Sequence, residues 1–169
     1  EDGSLNVRIS DNTAFKPGEN IAVSKGSVVY QNDILQLIQY EPTTDKVYKI
    51  PVLISPPFIN KYYILDINEK MSLVKWLADQ GYTVFVISWV NPSIEHASKR
   101  YEDYVMEGHL EVLDVIEKIT KSKKVSAIGY CTGGTILATT AAYLEAKKQK
   151  KFASLTYMAT LLDFSEPGD

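Results

Sequence analysis

Residues Gly129-Tyr130-Cys131-Thr132-Gly133-Gly134 place the chain's only cysteine between small residues. The pattern is that of a nucleophile elbow with sulfur in place of the usual hydroxyl. A sharp turn from strand to helix strains the backbone of its central residue, and the flanks must be small to allow it. Gly129 and Gly133 meet that need, with Tyr130 and Gly134 completing the bend. The turn lifts the Cys131 sulfur clear of the sheet. The positive N-terminal end of the next helix favours a thiolate and a developing oxyanion there. The Thr132 N–H is then one oxyanion donor. A free cysteine is also commonly a buried small apolar residue, so a chemical role requires a strand before the bend and a helix after it.

Sulfur also narrows the reaction. Passing an acyl group from one thiol to another exchanges a thioester for a thioester, a nearly isoenergetic step. That suits an acyltransferase fed by thioesters better than a hydrolase. A second informative stretch is Ser55-Pro56-Pro57-Phe58-Ile59-Asn60-Lys61-Tyr62-Tyr63-Ile64-Leu65-Asp66. In an elbow-type fold the loop at this place donates the second oxyanion N–H. Two prolines stiffen it, and Phe58, Tyr62 and Tyr63 are suited to wall a pocket together with Ile59 and Asn60. The competing reading is a surface loop whose aromatics pack on the sheet edge. Asp66 either caps the helix that follows or pairs with a base from elsewhere. His96, in a loop, and His109, in a helix, both precede the cysteine and are expected to face solvent. Asp163 is expected in a loop near the active face. No metal cluster is expected.

The elements that must hold these residues are legible from periodicity. Val28–Tyr30 and Ile34–Tyr40 flank an Asn-Asp turn and read as a hairpin. Residues 50–55, 83–90, 124–130 and 152–160 are short, apolar and rich in β-branched residues, as in a sheet covered on both faces. Their starts fall roughly 30–40 residues apart, the length of a strand–helix–strand unit. Helices are expected between them. Residues 68–80 carry the stripe Met71, Val74, Leu77, Ala78; residues 101–120 carry Val105, Val112, Leu113, Ile116, Ile119; residues 133–147 carry Ile136, Leu137, Thr140, Ala141, Leu144. The expected class is α/β, with a mostly parallel sheet and helices on both faces. Residues 1–27 are expected to form an irregular lead-in to a unit spanning 28–169.

Composition excludes other classes. With 45% apolar and 23% charged residues over 169 positions, the chain can bury a core without disulfides. A net charge of −3 is no footprint for nucleic acid. No apolar run approaches the roughly 20 residues of a membrane span. A single cysteine fits a reducing, cytoplasmic setting.

The runs FKPGENIAVSKGSVVYQNDILQLIQY, PTTDKVYKIPVL, PPFINKYYILD, GYTVFVISWVNPS, GYCTGGT and TLLDFSEPGD, spanning about residues 16–169, resemble the polyhydroxyalkanoate synthases, especially the short-chain (poly-3-hydroxybutyrate), single-subunit-type class. The resemblance implies an α/β-hydrolase-like fold, of whose catalytic domain 28–169 would be the N-terminal portion, and makes Cys131 the acyl-carrying nucleophile. It implies polymerisation of 3-hydroxyacyl-CoA into a growing polyester with release of CoA, without a cofactor. It further implies a homodimer at the surface of cytoplasmic polymer granules. The family's general-base histidine and its orienting aspartate follow the elbow at a distance. The chain is therefore expected to stop after the sixth strand and before both, as a piece trimmed at both ends or a split reading frame. Alone it is expected to be weak or inactive. An open sheet edge would then be an aggregation hazard unless a partner covers it. Two alternatives stay open: a cysteine hydrolase of esters or thioesters, and a non-catalytic fragment that binds a full-length synthase.

Overall fold

The computed structural model describes residue 11 and residues 13–166. The first ten residues of the expected lead-in, and residue 12, lie outside the described residues. Residues 13–25 turn rather than extend, with one isolated bridge between Pro17 and Ile21.

β1 (Gly26–Gln31) and β2 (Leu35–Tyr40) form the antiparallel hairpin. Asn32 closes its turn: the Asn32 carbonyl Oδ1 accepts from the Ile34 and Leu35 N–H groups at 3.1 Å each. β3 (Val52–Ser55) leads through a loop and a short 3-10 turn to β4 (Asp66–Asn68), β5 (Met71–Ser72) and α1 (Leu73–Asp79). β6 (Val84–Trp89) is followed by α2 (Tyr101–Asp103), a π-helical segment (Tyr104–Leu110) and α3 (Glu111–Thr120). β7 (Val125–Tyr130), α4 (Thr132–Ala146) and β8 (Phe152–Met158) complete the order.

The main sheet has the strand order β1-β2-β6-β3-β7-β8. β6, β3, β7 and β8 run parallel, and the hairpin joins through the antiparallel β2–β6 pair. Strand periodicity divides the core into two layers, because alternate side chains point to opposite faces. Val52 and Ile54 of β3, with Val84 and Val86 of β6, pack on α1 through Val74, Leu77 and Ala78. Leu53, Phe85, Ile87 and Trp89 face the other way, onto Val112, Leu113 and Ile116 of α3 and Ile136, Leu137 and Leu144 of α4. Burying a leucine, isoleucine or phenylalanine side chain contributes about 1.5–3 kcal/mol each. Helices therefore cover both faces, as the near-continuous apolar strands require. All loops after parallel strands open at one edge of the sheet, where such folds bind ligands.

Two expectations need correction. The helix expected over 68–80 is only α1, and the residues before it form the two-stranded β4–β5 ribbon. Asn68 starts the ribbon's turn by accepting from the Lys70 and Met71 N–H groups, and Ser72 caps α1 by accepting from the Lys75 N–H at 2.8 Å. Met71 is 60% exposed rather than part of the buried stripe. In α3, Ile119 is 40% exposed, so the buried stripe ends at Ile116. Among the described residues the ribbon also raises the strand count to eight, six of them in the main sheet.

Candidate active site

Cys131 sits at the junction of β7 and α4 with φ 52° and ψ −124°. This is left-handed territory that a residue with a Cβ enters only at a cost of about 1–3 kcal/mol. Its surroundings over-determine the bend. The Cys131 N–H donates to the Met158 carbonyl at 2.9 Å, extending the β7–β8 ladder. The Cys131 carbonyl accepts from the Gly134 N–H at 2.9 Å and the Thr135 N–H at 3.3 Å, the first turn of α4. The residue is partly exposed, neither buried nor open to solvent. Thr132 opens α4, and an N–H at that position has no acceptor within its own helix.

The glycines are explained by close approach. A Cβ on Gly129 would lie 2.4 Å from the Gly134 Cα, and one on Gly134 would lie 2.0 Å from the Thr160 hydroxyl. A Cβ on Gly133 would stand 2.2 Å from the Ser55 carbonyl and 2.5 Å from the Pro56 carbonyl. The end of β3 thus rests directly on the first turn of α4. Thr160 closes the other side, donating to the Met158 carbonyl at 3.1 Å, and Thr135 Oγ1 donates to the Leu161 carbonyl at 3.0 Å.

The loop after β3 begins with two prolines that have no N–H, so Phe58 carries the first amide donor after the strand. Phe58, Ile59 and Asn60 border a cleft of about 530 Å³ with Asn91, Pro92 and Tyr104. The Phe58 ring stacks on Tyr104 at 5.2 Å between centroids. Tyr62 and Tyr63 do not border this cleft; they meet edge to face, 5.2 Å apart, on the 3-10 turn. The structure thus brings Phe58, Ile59 and Asn60 together and sets Tyr62, Tyr63 and Asp66 aside. A second, larger polar cleft of about 620 Å³ lies at the same sheet edge and shares Asn91, to which Lys61 Nζ donates at 2.6 Å.

Asp66 is buried and remote from the bend in its bonding. Its Oδ1 accepts from Ser24 and Ser72 hydroxyls at 2.6 Å each. The helix cap is Ser72, and Asp66 holds the cap in place. Burial first, and then the Asp66 charge, raise the Tyr40 and Tyr62 phenols above their ordinary range.

The histidines separate. His96 lies in a short 3-10 turn, where its Nδ1 accepts from the Ser93 N–H at 3.1 Å. His109, expected on a helix surface, is fully buried in the π-helical segment. Thr140 Oγ1 donates to the Ile136 carbonyl at 2.8 Å, so it accepts from His109 Nδ1–H at 2.9 Å. His109 Nε2 then accepts from the Ser55 hydroxyl at 2.8 Å. This is the neutral imidazole, in keeping with burial, which lowers the His109 pKa to about 3. Asp163 is exposed and turns its own loop, accepting from the Ser165 N–H and hydroxyl. Among the described residues no histidine or carboxylate hydrogen-bonds the Cys131 sulfur, and no cluster of three or more such groups is arranged to hold a metal ion.

A strained cysteine between a parallel strand and a helix, beside a loop carrying backbone amides, has the strand–turn–helix geometry of the α/β-hydrolase elbow. The alpha/beta hydrolase fold family matches residues 51–169, and the chain belongs to it. Within that class the similarity is to the polyhydroxyalkanoate polymerases. The family described as the poly-beta-hydroxybutyrate polymerase (PhaC) N-terminus matches residues 1–77. The poly(3-hydroxyalkanoate) polymerase subunit PhaC of Rhizobium meliloti is 50% identical over 167 residues, 99% of this chain and 27% of that protein. The Cupriavidus necator subunit is 43% identical over 159 residues, 94% of this chain and 27% of that protein. The chain thus spans about a quarter of the length of the curated relatives it matches. Among solved structures, a sugar hydrolase from Lactococcus lactis aligns with TM-score 0.56 at 18% identity, covering 86% of this chain and 58% of that one. A potato epoxide hydrolase variant aligns with TM-score 0.53 at 13% identity, covering 79% and 39%. These two bear on the fold alone.

Proposed function

We propose that the chain is the nucleophile-bearing part of an acyltransferase that polymerises 3-hydroxyacyl-CoA, 3-hydroxybutyryl-CoA foremost, into a polyester. The observation that carries this reading is the partly exposed Cys131 held at φ 52° on the β7–α4 bend. The similarity to proteins named poly(3-hydroxyalkanoate) polymerase supports the substrate class.

The deprotonated Cys131 sulfur attacks the thioester carbonyl carbon. Negative charge gathers on the carbonyl oxygen, within reach of the Thr132 N–H and of an amide from the loop led by Phe58. The bond to the CoA sulfur breaks, CoA leaves with one proton, and the acyl group rests on Cys131. The 3-hydroxyl of another unit, losing its proton to a base, then attacks this thioester; an ester forms and the Cys131 thiolate returns. No cofactor enters, since CoA is part of the substrate. Both His109 nitrogens are engaged in the core, and those of His96 are taken up by Ser93 and the Asp33 carbonyl, so neither serves as the base. The base histidine and its aspartate are assigned to polypeptide following residue 169, and residues 1–169 alone are expected to release CoA weakly or not at all. The intact protein is further proposed to be a homodimer working in the cytoplasm at the polymer granule surface. Among the described residues no helix is long and apolar enough to cross a membrane.

The test is CoA release from 3-hydroxybutyryl-CoA by the intact protein. Cys131→Ala should abolish it; substantial remaining turnover would sink the assignment. Polymer among the products supports the polymerase, whereas free 3-hydroxybutyrate alone would make the protein a thioester hydrolase.

A further inference from the structure

The buried hydrogen-bond chain beneath the bend is not used by the reaction as written, yet it ties together the two elements that carry it. β3 alternates, so Ser55, like Leu53, points to the face covered by α3 and α4, and its hydroxyl meets His109 Nε2 at 2.8 Å. The other ring nitrogen meets Thr140, two turns into α4 from the bend. One imidazole therefore spans from the last residue of β3 to α4. A second tie comes from Trp89 of β6, which packs against the same π-helical segment. Gly108 leaves room for the Trp89 ring, since a Cβ there would lie 2.9 Å from it, and Trp89 Nε1–H donates to the Pro56 carbonyl at 2.9 Å. The Pro56 carbonyl held in this way, and the carbonyl of Ser55 beside it, abut Gly133. Helices with a π turn often mark functional places, and here that turn supplies the first tie and the room for the second.

We infer that His109 is a positioning residue for acyl transfer: through Ser55 on one side and Thr140 on the other, it sets how closely the loop after β3 seats on the first turn of α4, and hence the spacing of the amide donors contributed by each. This rests on the proposed role of Cys131. His109 touches neither the thiol nor the substrate; its influence is on where the loop amides stand when charge develops.

Two reactions of the same thiol separate this role from mere folding. Acylation of Cys131 by 3-hydroxybutyryl-CoA, read as the mass of the Cys131 peptide, needs the oxyanion donors. Alkylation of Cys131 by iodoacetamide proceeds by displacement at carbon and does not. In the intact protein, His109→Leu should slow acylation by about 10- to 100-fold, the scale expected of a misplacement near 1 Å, while alkylation changes less than about twofold. His109→Gln, whose amide can still accept from Ser55, should recover part of the rate. Ser55→Ala should slow acylation in the wild-type background and add little in His109→Leu. If His109→Leu fails to fold, Ser55→Ala and His109→Gln carry the test. Acylation at the wild-type rate in the variants overturns the inference alone, as does an equal fall of acylation and alkylation. A wild-type protein that alkylates but never acylates Cys131 overturns both this inference and the function on which it rests.

Discussion

The backbone of Cys131 and the chemistry of its side chain make opposite demands. A residue with a Cβ at φ 52° is strained, and glycine is not. Cys131→Ala removes the sulfur and keeps the strain; Cys131→Gly removes both. Thermal unfolding should therefore rank Cys131→Gly above Cys131→Ala by about 1 kcal/mol, since alanine at positive φ gives back what it gains over glycine elsewhere. Equal stability would mean that the bend stores no strain at this residue. The sequence made this bend legible because glycine spacing reports backbone geometry directly. It did not reveal what Gly133 and Gly134 accommodate. Those neighbours, Ser55, Pro56 and Thr160, come from chain segments far away in sequence, and nothing local reports such contacts.

Among the elements, the strands were readable and the segment after the proline loop was not. β3, β6 and β7 announce themselves by continuous β-branched and apolar runs, which only a doubly covered sheet accommodates. The stripe Met71, Val74, Leu77, Ala78 matches a helix equally well with or without its first member. The decision fell to Asn68 and Ser72, whose side chains bond nearby backbone in a turn and a cap and so delay the helix to Leu73. Ser72 has two tasks, since its oxygen accepts from the Lys75 N–H while its proton goes to buried Asp66. Ser72→Ala should accordingly destabilise by about 1–3 kcal/mol, more than an ordinary exposed cap, because it also leaves the carboxylate short of a donor. Denaturant titration checks this, and a loss below about 0.5 kcal/mol would reduce the Asp66 bond to an incidental contact.

At the scale of the whole molecule, His109 was misread for a physical reason. A π-helical stretch departs from 3.6 residues per turn, so the periodicity that groups Val105 with Val112 loses its phase between them, where His109 lies. Its burial makes global stability sensitive to acid. The folded-state pKa, about 3, lies below the ordinary value near 6.5 for histidine. Above pH 6.5 neither state is protonated and the stability is fully present. As pH falls below that value the unfolded chain gains a proton that the folded core refuses, and stability drops by up to ~1.4 kcal/mol per pH unit until about pH 3. Urea unfolding at pH 7 and pH 4 should show the wild type losing more stability than His109→Gln. Parallel losses would show that the carboxylates alone govern the acid limit.

The main-chain bond from Cys131 to Met158 has a temporal consequence. Part of the clamp on this bend is made after it, since Met158, Thr160 and Leu161 follow Cys131 in the sequence, whereas Ser55 and Pro56 precede it. While the polypeptide is being synthesised, the thiol cannot be locked into its working pose until roughly thirty further residues have emerged and β8 has zipped onto the sheet. Until then the turn at Cys131 lacks the β8 half of its support, and its pose is completed only as the parallel ladder closes.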